Sequence, residues 1–349
     1  MLALARHLPR LAARIPWLPL GDWPTPLERL ELAGGAVWIK REGASSPRYG
    51  GNKVRTLEPW LGHARQAGAH RIWAIGAFGS NHTIATALHA PAGLEVGAIV
   101  FPQPASPWAI ENCGALLAAG ASIVRLHNVV ELPFAALRVA RRDRGAILMP
   151  PGGATPIGTF GPAAAVFELA EQLAAGAAPP PRRIVLPVGS TCTTAGLVVG
   201  LLLAHAAGIW RWPLPLVHAV RVTRCPVTSA LVVGELAART LARAAALGGP
   251  RVASSRGELL ARFVVDRREI GAGYGRVTPR ARAAIAAWTG PRLDGVYSGK
   301  AAAALLRLHR AGLGPLLFWA TKSEVELPPP PMDRLRAAPA ALVRWLGRG

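Results

Sequence analysis

From residue 71 the chain sets short apolar runs against alanine-rich stretches of helical length, and this alternation restricts the fold more than any other feature. The runs are RIWAIGA at 71–77, LEVGAIVF at 94–101, ASIVRLH at 121–127 and AILMPPG at 146–152. A strand that continues through a crossover helix returns to its sheet in parallel, so such repeats build parallel sheets covered by helices. After a predicted helix over 161–175 and the prolines at 179–181, a second set follows: RIVLPVG at 183–189, PLVHAVRVT at 215–223 and PLLFWAT at 315–321. The run AVWIKRE at 36–42 has no neighbour in sequence and is predicted to join this second set, which places the first unit inside the second. The expected architecture is α/β, with two domains that each hold a mainly parallel sheet flanked by helices. Residues 1–54 and 161–349 would form the larger domain and 55–160 the smaller one inserted in it, and 349 residues suit two domains. The prolines at 328–331 read as a stiff linker before a short terminal helix.

Hydrophobic residues at 51% and charged residues at 17% describe a folded chain with a large core. The formal net charge of +21 is spread as single arginines and pairs such as Arg182-Arg183, with no long basic run, so nucleic acid is not expected as a partner. The longest apolar run, AGLVVGLLLAHAAG at 195–208, falls short of the ~20 residues that cross a bilayer, and no membrane contact is expected. The opening MLALARHLPRLAARIPWLPL reads as an amphipathic terminal helix, with an organelle transit peptide as the alternative. Cys113, Cys192 and Cys225 are odd in number and widely spaced, which points to a reducing cytoplasm and gives no zinc pattern.

Arginine is the default cation here: the only lysines are Lys40, Lys53, Lys300 and Lys322. Tyrosine is rarer still, at Tyr49, Tyr274 and Tyr297. In YGGNKVR at 49–55, two glycines permit close backbone approach, Asn52 is a suitable helix cap, and Lys53 falls in the first turn. An amine at the positive end of a helix has its pKa lowered, which favours attack on a carbonyl; a solvated surface lysine is the alternative. In IGAFGSNHTIATAL at 75–88 a strand ends in glycine and turns through Ser80, Asn81 and His82 into a helix. Ser80 is there either as a cap or as a functional hydroxyl, and His82 reads as a packed residue. Strand RIVLPV leads into GSTCTTAG at 189–196 and then an apolar helix. Consecutive amides and small hydroxyls at a helix start form an anion cradle suited to phosphate. The loop is not GxxxxGK[ST], and GAGYG at 271–275 is not GxGxxG, so the nucleotide-binding folds lose support. Cys192 reads as a buried thiol.

A lysine after glycines, a Ser-Asn turn and a lysine-free phosphate cradle together suggest a phosphorylated aldehyde cofactor held as a Schiff base. The chain resembles the pyridoxal-phosphate enzymes of the tryptophan synthase β-subunit fold type, within them the D-cysteine desulfhydrase and 1-aminocyclopropane-1-carboxylate deaminase group. The resemblance rests on PTPLERL at 24–30, YGGNKVRTLE at 49–58, GSNH at 79–82, PGGATPIG at 151–158, GSTCTTAG, GYG at 273–275 and LDGVYSGKA at 293–301, which run in family order. It implies pyridoxal 5′-phosphate as cofactor, Lys53 as the Schiff-base lysine and the base for the substrate α-proton, and Asn81 as the partner of the cofactor 3′-oxygen. It implies Ser80 beside the reacting carbon, and Gly189, Ser190, Thr191, Cys192, Thr193, Thr194 and Ala195 around the phosphate. Tyr274 and Tyr297 become active-site tyrosines, and Thr321 the neighbour of the pyridine nitrogen.

Three departures stand out. Relatives carry two glycines where this chain has Thr191 and Cys192, and a His-Thr-Gly-Gly run where it has Ala320-Thr321-Lys322-Ser323. Lys322 is read as solvent-facing. Deaminases of the cyclopropane acid carry a glutamate at Ser298, which argues against ring opening. The resemblance implies a lyase that performs α,β-elimination on a small amino acid, giving pyruvate, ammonia and sulfide from D-cysteine, and a homodimer. The alternatives are the cyclopropane deaminase and a catalytically silent homologue that only binds the cofactor.

Overall fold

A computed structural model describes residues 2–347. Ten strands form two sheets: β1 (Leu27–Leu32), β2 (Gly35–Arg41), β3 (Arg71–Ala77), β4 (Glu95–Phe101), β5 (Ser122–Arg125), β6 (Ile147–Met149), β7 (Arg183–Val188), β8 (Leu216–Arg221), β9 (Phe263–Asp266) and β10 (Leu316–Ala320). One sheet has the order β1-β2-β10-β7-β8-β9, the other β5-β4-β3-β6. Every pairing is parallel except β1 with β2. The predicted α/β architecture is present, and the run at 36–42 does join the later strands: Trp38 pairs with Leu317. The smaller sheet is continuous in sequence between β2 and β7.

Strand order fixes where loops gather. The chain runs from β3 through β4 to β5 on one side, then places β6 on the other side of β3. It likewise runs from β7 through β8 to β9, then places β10 on the opposite side of β7. Ligands bind open parallel sheets at such reversals, at the carboxyl ends of the strands. The loops so positioned are Gly79–Asn81 after β3, Gly152–Gly153 after β6, Gly189–Cys192 after β7, and Thr321 after β10.

The longest helix, Pro156–Ala174, packs on helix Cys192–Ala206 at the centre of the larger core. Gly200 makes this crossing possible, since a Cβ there would lie 2.5 Å from the Ala163 carbonyl oxygen. Beneath it lies a buried ionic cluster: Arg55 bridges Glu42 (2.6 Å) and Glu168 (2.9 Å), and Lys40 pairs with Glu168. Lys40 also donates to the Thr25 carbonyl oxygen and to Gln172, both at 2.7 Å. Buried charges persist only when paired and hydrogen-bonded, and these join β2, helix Asn52–Gln66 and helix Pro156–Ala174.

Both termini differ from expectation. Pro9 breaks the predicted terminal helix into Ala3–His7 and Pro9–Ala12, because proline cannot donate the amide that a continuous helix needs. Leu4 and Leu11 are buried in the larger core. At the other end, helices Met332–Ala337 and Ala340–Leu346 follow the prolines, and Trp345 packs edge-on against Phe78 while its indole donates to the Gln103 carbonyl (2.7 Å). Among the described residues no helix is long and apolar enough to cross a membrane.

Candidate active site

Lys53 lies in the first turn of helix Asn52–Gln66. The two glycines before it have separate steric causes. A Cβ on Gly50 would stand 1.9 Å from the Gly43 carbonyl oxygen, and Gly51 has φ +105°, with the Thr321 carbonyl oxygen 2.8 Å from where its Cβ would be. Asn52 is not the cap, because Gly51 occupies that position. Its side-chain amide instead donates to Thr193 Oγ1 at 2.7 Å, and its backbone amide reaches the Thr321 carbonyl at 3.3 Å. The lysine helix is thus tied directly to the loops after β7 and β10.

The Lys53 amine points into that junction. Its Nζ lies 3.3 Å from where a Cβ on Gly152 would be, and Ser190 Oγ lies 1.9 Å from the same point. Lys53 makes no hydrogen bond or ion pair to the protein among the described residues. Burial lowers its pKa, partly offset by Cys192. Burial and the nearby amine push His82 well below the usual histidine range, so this packed imidazole is neutral.

The loop after β7 has the form of an anion cradle. Thr191 is the only described non-glycine residue with positive φ, at +74°, and helix Cys192–Ala206 begins after it. The hydroxyls of Thr191 and Thr194 are buried without a hydrogen-bond partner in the protein. Orphaned buried hydroxyls beside free helix-start amides are the groups a phosphate would satisfy, so the residues present fit that group. Cys192 is fully buried within 3.8 Å of the Thr56 and Thr159 hydroxyls, and burial raises its pKa, as expected for a packed thiol.

Tyr297 stands over the start of this loop: a Cβ on Gly189 would be 3.2 Å from its ring. Its hydroxyl is 3.0 Å from that of Tyr274, and the rings meet edge-on. Burial pushes Tyr274 up to about 12 and raises Tyr297 well above the usual phenol range, so both are protonated near neutral pH. Asn81, Gln103, Trp108, Asn112, Tyr274 and Tyr297 line one cavity of about 10 Å³, space for about one water. Ser80 caps helix Asn81–His89, accepting from the amides of His82 (3.1 Å) and Thr83 (3.4 Å).

The structure therefore gathers the cradle residues, Lys53 and Thr321 at one junction, with Asn81 and the two tyrosines at the adjoining cavity. It corrects Lys322, which faces inward: it is 3% exposed, its amine lacks a partner, and it lies 5.6 Å over the Tyr49 ring. Sequence reasoning passed over Gly152, although PGG at a strand end was a usable signal. It also passed over Tyr49 and Asn112, which each place a donor 2.8 Å from Asn81 Oδ1 and leave its amide nitrogen for another partner. Asn112 lies inside helix Pro107–Ala118 and carries no local signature. Ser298 is fully buried, with its hydroxyl donating to the Asp294 carboxylate at 2.9 Å.

Known proteins are similar to this chain over most of its length. The chain is 37% identical over 326 residues to nocardicin C-9′ epimerase from Nocardia uniformis subsp. tsuyamanensis, covering 89% of this chain and 94% of that protein. It is 29% identical to D-cysteine desulfhydrase from Yersinia pestis, covering 87% and 93%. A crystal structure of an ACC deaminase homologue superposes with a TM-score of 0.73 at 27% identity, covering 93% of this chain and 95% of that one. The family model for pyridoxal-phosphate dependent enzymes matches residues 18–315, and on that span the chain belongs to this family, in the fold type of the tryptophan synthase β-subunit, with pyridoxal phosphate as its cofactor.

Proposed function

We propose that this chain is a lyase that removes the α-proton and a β-substituent from a small amino acid, with D-cysteine as the model substrate. The observation that carries the reading is the unpaired Lys53 amine held beside Ser190 and Gly152 at the mouth of the cradle. Lys53 would attach the cofactor and take the proton at the substrate α-carbon, since its lowered pKa keeps free amine available. Gly189 to Ala195 would hold the phosphate, Asn81 would donate to the 3′-oxygen, and Thr321 would lie by the ring nitrogen. When bound, pyridoxal phosphate withdraws the electron pair left at the α-carbon.

Ser80 suits a proton relay, because two backbone amides at a helix start stabilise charge on its oxygen. Tyr274 and Tyr297, both protonated, can donate to a departing group. The serine at 298, in place of a residue that carries its own carboxylate, disfavours ring opening. A cytoplasmic setting suits three free thiols.

The 37% identity to an epimerase over 89% of the chain favours a second reading, in which the same α-carbon is reprotonated on its other face. One experiment separates the two. Protein loaded with pyridoxal phosphate is given D-cysteine, other small D- and L-amino acids and the cyclopropane acid, while pyruvate, sulfide, 2-oxobutyrate and inversion at the α-carbon are followed. Pyruvate with sulfide is the expected result. Inversion without keto acid selects the epimerase, and a visible absorbance without any product selects the silent homologue. A colourless protein, or one in which borohydride fixes nothing onto Lys53, overturns the reading altogether.

A further inference from the structure

Lys300 lies in the first turn of helix Ser298–Arg310 and is fully buried. Its amine donates to the carbonyl oxygens of Ile270 (3.0 Å) and Gly273 (3.2 Å). Those carbonyls belong to the loop between β9 and helix Pro279–Ala286, and the residue after Gly273 is Tyr274. The loop has little shape of its own. Gly271, Gly273 and Gly275 all take positive φ (+58°, +115° and +75°), and two long turn bonds, Ile270 amide to Arg267 carbonyl at 3.3 Å and Gly273 amide to Ile270 carbonyl at 3.2 Å, close it internally. Glycines in such conformations lose more freedom on ordering than other residues, so an external restraint is needed to hold the loop in one place.

Tyr297 caps the helix that carries Lys300, and its hydroxyl meets that of Tyr274. One helix therefore grips the loop twice, by an amine on its backbone and by a phenol on its tyrosine. From outside, Arg224 donates to the Ala272 carbonyl at 3.0 Å.

We infer that Lys300 is a positioning residue for Tyr274: its ammonium latches residues 270–273 to helix Ser298–Arg310 and so fixes the separation of the Tyr274 and Tyr297 hydroxyls. For catalysis the inference rests on the function proposed above, in which the two tyrosines serve the reacting amino acid. For the latch it rests on geometry alone. Charge-assisted hydrogen bonds are roughly twice as strong as neutral ones, so deprotonation loosens the latch without removing it.

The groups facing this amine are defined. Burial lowers its pKa, while Asp294 and Glu269 raise it, leaving it at about 8. Glu269 is faced in turn by Arg280 (3.8 Å) and Arg307 (3.6 Å), and Arg307 also pairs with Asp266, the partner of His218. The Asp294 carboxylate is occupied by the amides of Val296 and Tyr297 and by Ser298.

The chain has only three tyrosines, so the protein labelled with 3-fluorotyrosine gives three fluorine NMR signals, assignable by single Tyr→Phe variants. In the cofactor-loaded protein the Tyr274 signal is expected to move with a midpoint near pH 8 while the Tyr49 signal stays fixed. In Lys300→Met that movement disappears and the Tyr274 signal shifts at every pH, with cofactor uptake retained. Turnover of the variant should fall at least tenfold in kcat with little change in KM, and the alkaline limb of the wild-type pH profile should be lost.

An unchanged Tyr274 signal in Lys300→Met overturns the inference. If that variant does not fold, the wild-type titration decides alone: a Tyr274 signal insensitive to pH around 8 also overturns it. A displaced signal with unaltered turnover leaves the latch standing and removes Tyr274 from the chemistry. A chain that turns over no amino acid leaves the fluorine result valid and sinks only the proposed function.

Discussion

Asn52 donates its side-chain amide to Thr193 Oγ1 at 2.7 Å, and this contact joins the helix that carries Lys53 to the loop that would hold the cofactor phosphate. A side-chain hydrogen bond of this kind contributes about 1 kcal/mol net. Asn52→Ala is therefore expected to weaken pyridoxal phosphate affinity about fivefold to tenfold, with the melting temperature nearly unchanged. Titration of the visible absorbance with added cofactor checks this; wild-type affinity in the variant would show that the tie has no part in binding.

Gly152 has φ +65°, and a Cβ on it would stand 1.9 Å from Ser190 Oγ and 3.3 Å from Lys53 Nζ. A left-handed conformation costs an L-residue about 1–2 kcal/mol, and here the methyl group would also displace two groups of the site. Gly152→Ala should lose most cofactor binding while keeping its secondary structure by circular dichroism. Retention of normal binding would mean that the two loops separate easily.

Thr191 holds φ +74° with a branched Cβ, in the left-handed region that favours glycine. Strain of this kind costs of order 1–3 kcal/mol. Thr191→Gly should raise stability by about 1 kcal/mol in denaturant unfolding, after the offsetting entropy of glycine. It also removes one orphaned hydroxyl from the cradle, so cofactor affinity is expected to fall as stability rises. Opposite signs in the two measurements identify strain kept for binding.

Burial alone would raise the pKa of Glu168, but Arg55 and Lys40 override it and hold the carboxyl at about 2. A depressed carboxylate stabilises the fold above its unfolded value near 4.5, and that contribution is lost as pH falls through about 2. Glu168→Gln should flatten the acid limb of the stability profile in this window. Glu168→Ala leaves the Lys40 amine without its carboxylate and should cost about 3–5 kcal/mol at neutral pH. Urea unfolding across pH checks both.

The parallel strands were legible because their apolar runs are bounded by glycine and proline, and the motif order revealed which loops matter. β1 was missed because LERLEL alternates charged residues along a half-exposed sheet edge, and β9 because FVVD is too short to display a period. Lys53 stood out through the glycines before it, each of which the structure accounts for sterically. Asn112 and Gln103 reach the site only through tertiary packing, which no local pattern encodes. Lys322 was read outward because an isolated lysine is most often solvated, and the sequence holds no sign of the pocket that encloses it.

The distribution of lysines has a practical consequence. Lys40 and Lys300 are fully buried, Lys322 is 3% exposed, and Lys53 alone keeps partial access. Succinimidyl esters and similar acylating labels will therefore find no reactive side chain on the outer surface of the native protein. Limited acylation of cofactor-free protein should mark Lys53 almost alone among side chains, which makes a covalent tag and a mass spectrum sufficient to count the copies whose Lys53 is not held by cofactor.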